Sequence, residues 1–421
     1  MIWRTTLLAT LALTAVAFGQ VPVPPISGGP VISGTLHYDL RFSQIMNLGA
    51  ATDNNLGQTS SVSGDAGYNS TSEHYPFGLL YSGGGLWTTQ AGSENTSFQN
   101  LQVTQGFVSR KWVINISDNV SYLPQAPTTG ASGIPGVGDL TGSLGFGILP
   151  PGDIPNQSIL TNYAPRVSNA ASGGLEYRLD GSTSLTGSGS FGLLKFPDGG
   201  GLDGTQENAS FGVKRRLDAR NTIGVNYVYS RFEYDVSGFA IASQGGEVTF
   251  TRQWSRKLKS DIGLGPQWMH SSDTTLLQDS TSVAGSAGLE YTLDSATSTN
   301  LRYIRGLNGG SGVVEGGMTD SVQLGISRML SRDWTLALMG SFARTDAPQI
   351  AGLQTACVYT TKYGGTQVSR RLGRHASAYL SYTAMAQSAP ETLFGNALNG
   401  LTHVFGIGFE FSPRETRLKG R

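Results

Sequence analysis

The chain has 421 residues, of which 58 are glycine and only 14% are charged. Lys plus Arg and Asp plus Glu each number 29, so the sequence has neither a basic footprint for nucleic acid nor an acidic tail. We therefore expect no nucleic-acid partner. Cys357 is the only cysteine, which excludes an intramolecular disulfide and a cysteine metal cluster. We expect no cofactor and no metal.

Residues 1–19 have the pattern of a cleaved signal peptide. Arg4 supplies a short basic region, Leu7 to Phe18 form an apolar stretch, and Ala17-Phe18-Gly19 form a small-residue cleavage site. We interpret residues 20–30 as a periplasmic N-terminal segment. No later segment approaches the roughly 20 apolar residues that a membrane helix needs, so a membrane-spanning form would have to be a barrel.

Strand-like runs and turn residues then repeat along the chain at intervals of about 40 residues, with one longer interval. The last apolar residues before the turns are Tyr68, Val108, Leu179, Leu217, Trp254, Leu293, Leu330, Leu372 and Phe411. Asp, Ser and Gly after these positions favour tight hairpins. Each unit holds two runs of about ten residues and one long polar connection. A β-propeller blade has a similar period, but it packs four shorter strands into that length.

The strand runs alternate in hydrophobicity, as a half-apolar sheet requires. In the last run Phe405, Ile407 and Phe409 share one face, whereas Gly406 and Gly408 lie on the other. For most turns, the residue two positions before that last apolar residue also lies on the apolar face. These residues are Tyr177, Arg215, Arg252, Tyr291, Arg328, Arg370 and Phe409. Repeated arginines would be costly in a soluble core, but they suit a membrane interface, where the guanidinium reaches the headgroups.

The pattern therefore predicts an all-β fold, a closed antiparallel transmembrane β-barrel over residues 31–411 with short periplasmic turns and long external loops. A first strand at Thr35–Ser43, eight hairpins and a last strand at Thr402–Phe411 give about 18 strands, with 16 as the alternative count. The alternation also predicts charged residues facing the pore, and their signs are mixed. They are Asp39, Arg41, Lys214, Glu247, Glu290 and Arg302. A mixed set of charges indicates weak ion selectivity.

The last run, Val404 to Phe411, resembles the terminal strand signal of bacterial outer-membrane β-barrel proteins, and the chain is porin-like in length and strand number. The resemblance covers everything after the signal peptide. The chain departs from it in Ser412 to Arg421, which we interpret as a periplasmic tail. The resemblance implies an outer-membrane location, with outer-membrane lipid, lipopolysaccharide and the barrel-assembly machinery as partners. It also implies homo-oligomer formation.

The resemblance further implies a channel for passive diffusion of small polar solutes. The Pro- and Gly-rich segment 124–165 would be the third external loop, either constricting the pore or capping the surface. The alternative is a structural, adhesive or polymer-export barrel without general pore activity. A barrel-embedded hydrolase is a second alternative, but the five histidines lie apart and stand in no catalytic motif. We expect no enzyme activity.

Overall fold

The computed structural model describes residues 34–49, 56–89, 95–123, 165–199, 203–235, 239–272, 279–308, 317–347, 357–388, 399–413 and 416–418. The predicted signal peptide, the N-terminal segment 20–30 and nearly all of the predicted loop 124–165 lie outside these residues. Among the described residues, no helix is long and apolar enough to cross a membrane.

Eighteen long strands form one sheet, and each pairs with its chain neighbours. In chain order they are β1 (Gly34–Gly49), β2 (Leu56–Ser70), β3 (Phe77–Thr88), β4 (Thr96–Val108), β5 (Trp112–Leu123), β6 (Arg166–Arg178), β7 (Thr183–Lys195), β8 (Gly204–Arg216), β9 (Asn221–Tyr234), β10 (Phe239–Gln253), β11 (Leu258–Ser271), β12 (Ser280–Asp294), β13 (Thr297–Asn308), β14 (Gly317–Met329), β15 (Trp334–Ala347), β16 (Cys357–Arg371), β17 (Ala376–Ser388) and β18 (Gly400–Phe411). A nineteenth strand, β19 (Thr416–Leu418), has three residues.

The sheet closes on itself because β1 also pairs with β18 in antiparallel orientation, from Leu40 opposite Phe411 to Gly49 opposite Thr402. The described chain is therefore a closed antiparallel barrel of 18 long strands. This confirms the predicted fold class, and the alternative count of 16 is wrong. Closure gives the backbone groups of the first and last strands partners, which an open edge would leave unpaired.

The strands are longer than the apolar patterns indicate. The first was predicted at Thr35–Ser43 but continues to Gly49, and the long strands contain 12 to 16 residues. The physical reason is that the backbone ladder depends only on N–H and C=O groups. In β1 it continues past Gln44, the polar residue that interrupts the apolar face, and Met46 and Leu48 then resume that face.

Most of the short connections share one turn geometry, in which a side chain replaces a missing backbone partner. Asp180 accepts hydrogen bonds from the backbone N–H groups of Ser182 (2.6 Å) and Thr183 (2.8 Å). These bonds lower the pKa of Asp180 to about 2. Asp218 does the same for Arg220 and Asn221 in the next short turn. Ser255 accepts from the N–H groups of Lys257 and Leu258 in the same way, so the predicted tight turns are built on Asp or Ser side chains that hold their own backbone.

The C-terminal tail continues the closing seam. The strand β18 stops opposite Leu40, which leaves the first six residues of β1 without that partner. The strand β19 then pairs with the start of β1, with Thr416 opposite Leu36 and Leu418 opposite Gly34. Part of the segment predicted to be a tail is therefore a strand of the sheet.

Ending the chain after Phe411 is expected to lower the free energy of unfolding by about 2 kcal/mol, because the β19 hydrogen bonds with β1 are lost and each contributes about 1 kcal/mol net. The measurement is urea unfolding of the refolded barrel in detergent micelles, followed by tryptophan fluorescence. The control ends the chain after Leu418 and keeps β19. Equal stability of the two truncated chains would contradict a role for β19 in the seam.

Candidate functional site: the barrel interior and its two rims

The two faces of the wall differ in chemistry. On β11 the apolar side chains Ile262, Leu264 and Trp268 are exposed, with Leu264 61% accessible. The opposite face of the wall carries small polar side chains such as Ser63 and Thr361, which are buried. Because the sheet is closed, the exposed apolar face is the outside of the barrel and the polar face lines its interior. Eighteen strands spaced about 4.8 Å apart and tilted about 40° enclose a cylinder about 35 Å across, measured between backbone walls.

All six charged residues predicted to line the pore lie on the interior face. Their environments differ. Asp39 and Arg41 are buried, whereas Lys214 is exposed near the short-turn end. Glu290 forms an ion pair with Lys259 of the neighbouring strand, at 3.2 Å. Glu247 and Arg302 complete the set and are half-buried.

Arg41 stands at the centre of a buried charged cluster at the closing seam. Its guanidinium lies 3.0 Å from Asp39, 3.3 Å from Asp65 on β2 and 3.7 Å from Glu410 on β18. The four side chains are 6% to 12% exposed. The cluster links the first, second and last long strands through one cation. The alternation of the sequence could place these residues on one face. Which acidic groups contact Arg41 depends on the register of the strands at the seam.

Two glycines make room for large side chains on this part of the interior wall. A β-carbon at Gly408 would clash with the Tyr379 ring, and one at Gly67 would clash with the His37 ring. Both positions face inward next to the Arg41 cluster. Gly408 therefore makes room for the Tyr379 ring of β17 beside the seam, and Gly67 makes room for the His37 ring of β1.

Inward-facing side chains are less exposed to solvent near the long-loop end than near the short-turn end. Ile45 on β1, Phe98 on β4 and Ile241 on β10 point inward near that end, and each is less than 2% exposed. By contrast, Lys214 and Arg216 at the short-turn end of β8 are exposed. The interior apolar side chains were not predicted. Each interrupts an otherwise small or polar face and would be the sequence signal for this feature.

The seven residues predicted for the membrane interface all lie on the outer face, near the short turns. Their positions follow from the strand registers, which place Tyr177, Arg215, Arg252, Tyr291, Arg328, Arg370 and Phe409 on that face. Arginine and aromatic side chains contact each other there. The Arg252 guanidinium lies 4.2 Å from the Trp254 ring centre, and that of Arg370 lies 5.2 Å from the Trp334 ring centre.

A second polar level, which we call the outer belt, crosses the outer face nearer the long loops. It contains Asp118, which accepts a hydrogen bond from Asn169 at 2.6 Å, and Asp320, which forms an ion pair with Arg305 at 2.6 Å. On five strands a belt residue stands eight positions before an interface residue. The pairs are Asn169 and Tyr177, Glu207 and Arg215, Gln244 and Arg252, Asp320 and Arg328, and Lys362 and Arg370. The belt was missed at the sequence level, although this repeated spacing could have revealed it.

The histidines do not form a catalytic group in the described part of the chain. His74 bonds the backbone oxygen of Val108, and His403 lies 2.9 Å from the Tyr382 hydroxyl on the outer face. His270 pairs with Asp279 at the long-loop end of the outer face. His37 packs beside Gly67. Within the described residues, no group of three or more His, Cys, Asp or Glu side chains is arranged to hold a metal ion.

No protein-family profile matches the sequence, and no curated protein matches it. Three solved structures illustrate what the fold is similar to. OccK2 (OpdF) of Pseudomonas aeruginosa, solved in complex with glucuronate, is 12% identical, with 90% of this chain and 98% of that chain covered and a TM-score of 0.45.

OccK9 (OpdG) of the same organism is 11% identical, with 92% and 100% covered and a TM-score of 0.45. The siderophore receptor PirA of Pseudomonas aeruginosa is 8% identical, with 94% and 81% covered and a TM-score of 0.41.

Replacing Arg41 with Ala is expected to lower the free energy of unfolding by about 3 kcal/mol, because three buried carboxyl groups lose their common cation. The measurement is urea unfolding of the refolded barrel. The control is Arg344→Ala, which breaks an ion pair with Asp346 whose side chains are about half exposed. That change is expected to cost less than about 1 kcal/mol. Similar losses in both variants would contradict the seam role of Arg41.

Proposed function

We propose that the protein is an outer-membrane, porin-like channel for passive diffusion of small polar solutes. One observation carries the proposal: a closed wall of 18 long strands is apolar outside and polar inside. Such a wall satisfies its backbone groups internally, as a membrane-spanning segment must, and it encloses a polar route.

The distance between the two polar levels of the outer face supports a membrane-spanning position. Eight residues, such as Asp320 to Arg328, rise about 26 Å along a strand, which corresponds to about 20 Å along the barrel axis at a tilt of about 40°. This is close to the apolar band of about 25 Å found on outer-membrane barrels. The arginines at the short turns extend the band by reaching for headgroups. Outer-membrane lipid, lipopolysaccharide and the barrel-assembly machinery remain proposed partners, as does a second copy of the chain.

The inward-facing side chains favour a narrow solute pathway rather than a wide one. A barrel of this strand number can hold an aqueous lumen. However, the inward side chains near the long loops are covered, and Phe98 is 1% exposed. The narrow part of the route therefore lies toward the long-loop end. Charges of both signs along the wall favour weak ion selectivity.

The covered interior is also the observation that favours the alternative, a structural, adhesive or polymer-export barrel without general pore activity. A folded barrel that passes no current would support it. The hydrolase alternative would need a hydroxyl group beside a histidine and an acid. In the described residues, the ring of the interior histidine His37 lies against Gly67, which has no side chain.

The test is planar-bilayer conductance of the refolded mature chain, with reversal potentials in a salt gradient. Stable current steps with a small reversal potential are expected. In Lys214→Gln the reversal potential is expected to move toward cation preference, because an exposed interior cation near one mouth is removed. Arg215→Gln is the matched control, since Arg215 is the next residue and lies on the outer face.

The absence of current from a barrel that still unfolds cooperatively would contradict channel function. Equal shifts in the two variants would contradict current flow along this interior wall.

A further inference from the structure

The hydrogen-bond ladder between β10 and β11 is interrupted in the middle of the wall. Pairing stops at Gly245 opposite Gln267 and resumes at Val248 opposite Leu264. The ladders on either side, β9 with β10 and β11 with β12, continue through the same level. Among the described strands, the other interruption within a ladder lies beside the short turn at Asp294. The interruption in the wall is therefore a local feature of one strand pair.

The cause of the interruption is Pro266, whose ring leaves no backbone N–H. In the hairpin, the Trp254 N–H donates to the Leu258 carbonyl at 3.0 Å, which shows which pairs of this ladder are hydrogen-bonded. Because antiparallel strands exchange hydrogen bonds at every second pair, Gly246 and Pro266 fall at a hydrogen-bonded pair. The Gly246 carbonyl therefore faces a residue that cannot donate to it. Proline in a sheet is usually confined to an edge strand, and a closed barrel has no such strand.

Glycines keep both sides of the wall free of side chains at this place, which we call the wall break and define as Gly245, Gly246, Gly265 and Pro266. A β-carbon at Gly265 would clash with the Gly246 carbonyl oxygen, and one at Gly245 would clash with that of Pro266. Gly245 and Gly265 face inward, so both carbonyl oxygens lie on the interior side. On the outer side, a β-carbon at Gly246 would meet nothing within 4 Å. The strands touch here through backbone atoms without the usual ladder.

The wall break lies within the apolar band of the outer face. Gly246 stands two residues from the outer-belt residue Gln244 and six from the interface residue Arg252. Its outward neighbours Val248 and Leu264 are 52% and 61% exposed. An alkyl chain in the lipid would contact these two side chains and the dent that Gly246 leaves between them.

The interior side of the wall break offers hydrogen-bond acceptors. Besides the two carbonyl oxygens, the Glu247 carboxylate lies against Gly263, where a β-carbon would clash with it. In the described residues, the buried Oε1 of Gln267 has no hydrogen-bond partner, whereas its Nε2 donates to Ser243 at 2.9 Å. Acceptors beside a carboxylate favour a ligand group that donates hydrogen bonds and carries positive charge.

We propose that β10 and β11 part at the wall break and admit a primary alkylammonium amphiphile, with its alkyl chain toward the lipid and its ammonium group toward the lumen. The proposal rests on the proposed function in placing the wall between lipid and a hydrated lumen. Parting the strands costs less here than in an unbroken ladder, because hydrogen bonds of the ladder are already missing. An ammonium group finds acceptors on the interior side, whereas a carboxylate would meet acceptors alone.

The first test is amide hydrogen exchange of the refolded protein in lipid nanodiscs, read by mass spectrometry. Peptides across the wall break should exchange faster than those of the unbroken ladder of β14 with β15. In Pro266→Val, which supplies the missing N–H, exchange should slow about fivefold, the factor for one net hydrogen bond. Leu264→Val is the matched control, because it changes the next outward residue and keeps Pro266. An unchanged rate in Pro266→Val would overturn the opening.

The second test is photolabelling in the same nanodiscs with dodecylamine that carries a diazirine at the end of its chain. The strands β10 and β11 should be labelled preferentially. Glu247→Gln should reduce their labelling about threefold, as for the loss of one partly exposed ion pair. Glu290→Gln is the control, since that interior carboxylate already pairs with Lys259 at 3.2 Å. Even labelling around the barrel, or stronger labelling by a dodecanoic acid probe of the same design, would overturn the proposed ligand.

A reversible lock separates this proposal from the channel. Ser243→Cys with Met269→Cys, in a Cys357→Ser chain, places a disulfide across a directly opposed pair beside the wall break. This pair is not hydrogen-bonded, so its side chains lie close together. The oxidised form should lose the preferential labelling, reduction should restore it, and conductance should be the same in both forms. Labelling that the disulfide leaves unchanged would contradict the opening.

Conductance of the unaltered chain in the same lipid distinguishes the two possible failures. A barrel that is labelled at the wall break but passes no current contradicts only the channel. A barrel that conducts without this labelling contradicts only the opening. Cooperative unfolding of each variant, as for the unaltered chain, verifies its fold.

Discussion

The pairing of the first strand with the last is the constraint on which the rest of the structure depends. Every backbone N–H and C=O in a membrane must be satisfied by the protein itself, so the wall cannot have an edge. Leu40 opposite Phe411 begins the closing ladder, and β19 extends it past the end of β18. The Arg41 cluster reinforces the same seam with a cation shared by acidic groups on three strands. Backbone and side chains therefore close the barrel at one place.

Closure also explains which parts of the structure the sequence could predict. A two-residue period assigns each residue to one of two faces, and a closed sheet makes these faces the outside and the interior. The faces of Lys214 and Arg215, for example, could be inferred without knowing any partner strand. The strand number followed from counting turns such as Leu179-Asp180-Gly181-Ser182, whose Asp holds the turn backbone.

Features that depend on register or on distant strands were not predictable in the same way. The contact of Arg41 with Glu410 joins residues at opposite ends of the chain and requires the seam register. The role of Thr416 to Leu418 as a strand was hidden because three polar or mixed residues carry no alternation signal. The burial of Phe98 depends on what surrounds it in three dimensions. Local pattern contains no information on any of these contacts.

The charge distribution divides the molecule along the barrel axis. Arginines gather at the short turns, partly against aromatic rings, as with Arg252 and Trp254. At the other end of the outer face, acidic and basic residues pair within the outer belt, as with Arg305 and Asp320. A formal net charge of zero therefore conceals a strong polarity along the axis. In the part of the chain that the structure describes, several charges near the long loops form ion pairs, whereas the short turns carry mainly arginines.

The most direct test of the account is a scan of single cysteines from Thr186 to Phe191 on β7, in a chain in which Cys357 is replaced by Ser. Each cysteine carries a fluorophore, and quenching by nitroxide groups on lipid chains is measured in bilayers. Positions 187, 189 and 191 should be strongly quenched and positions 186, 188 and 190 weakly quenched, because they face lipid and interior in turn. Quenching without this alternation, or its absence at every position, would contradict a barrel that spans the membrane.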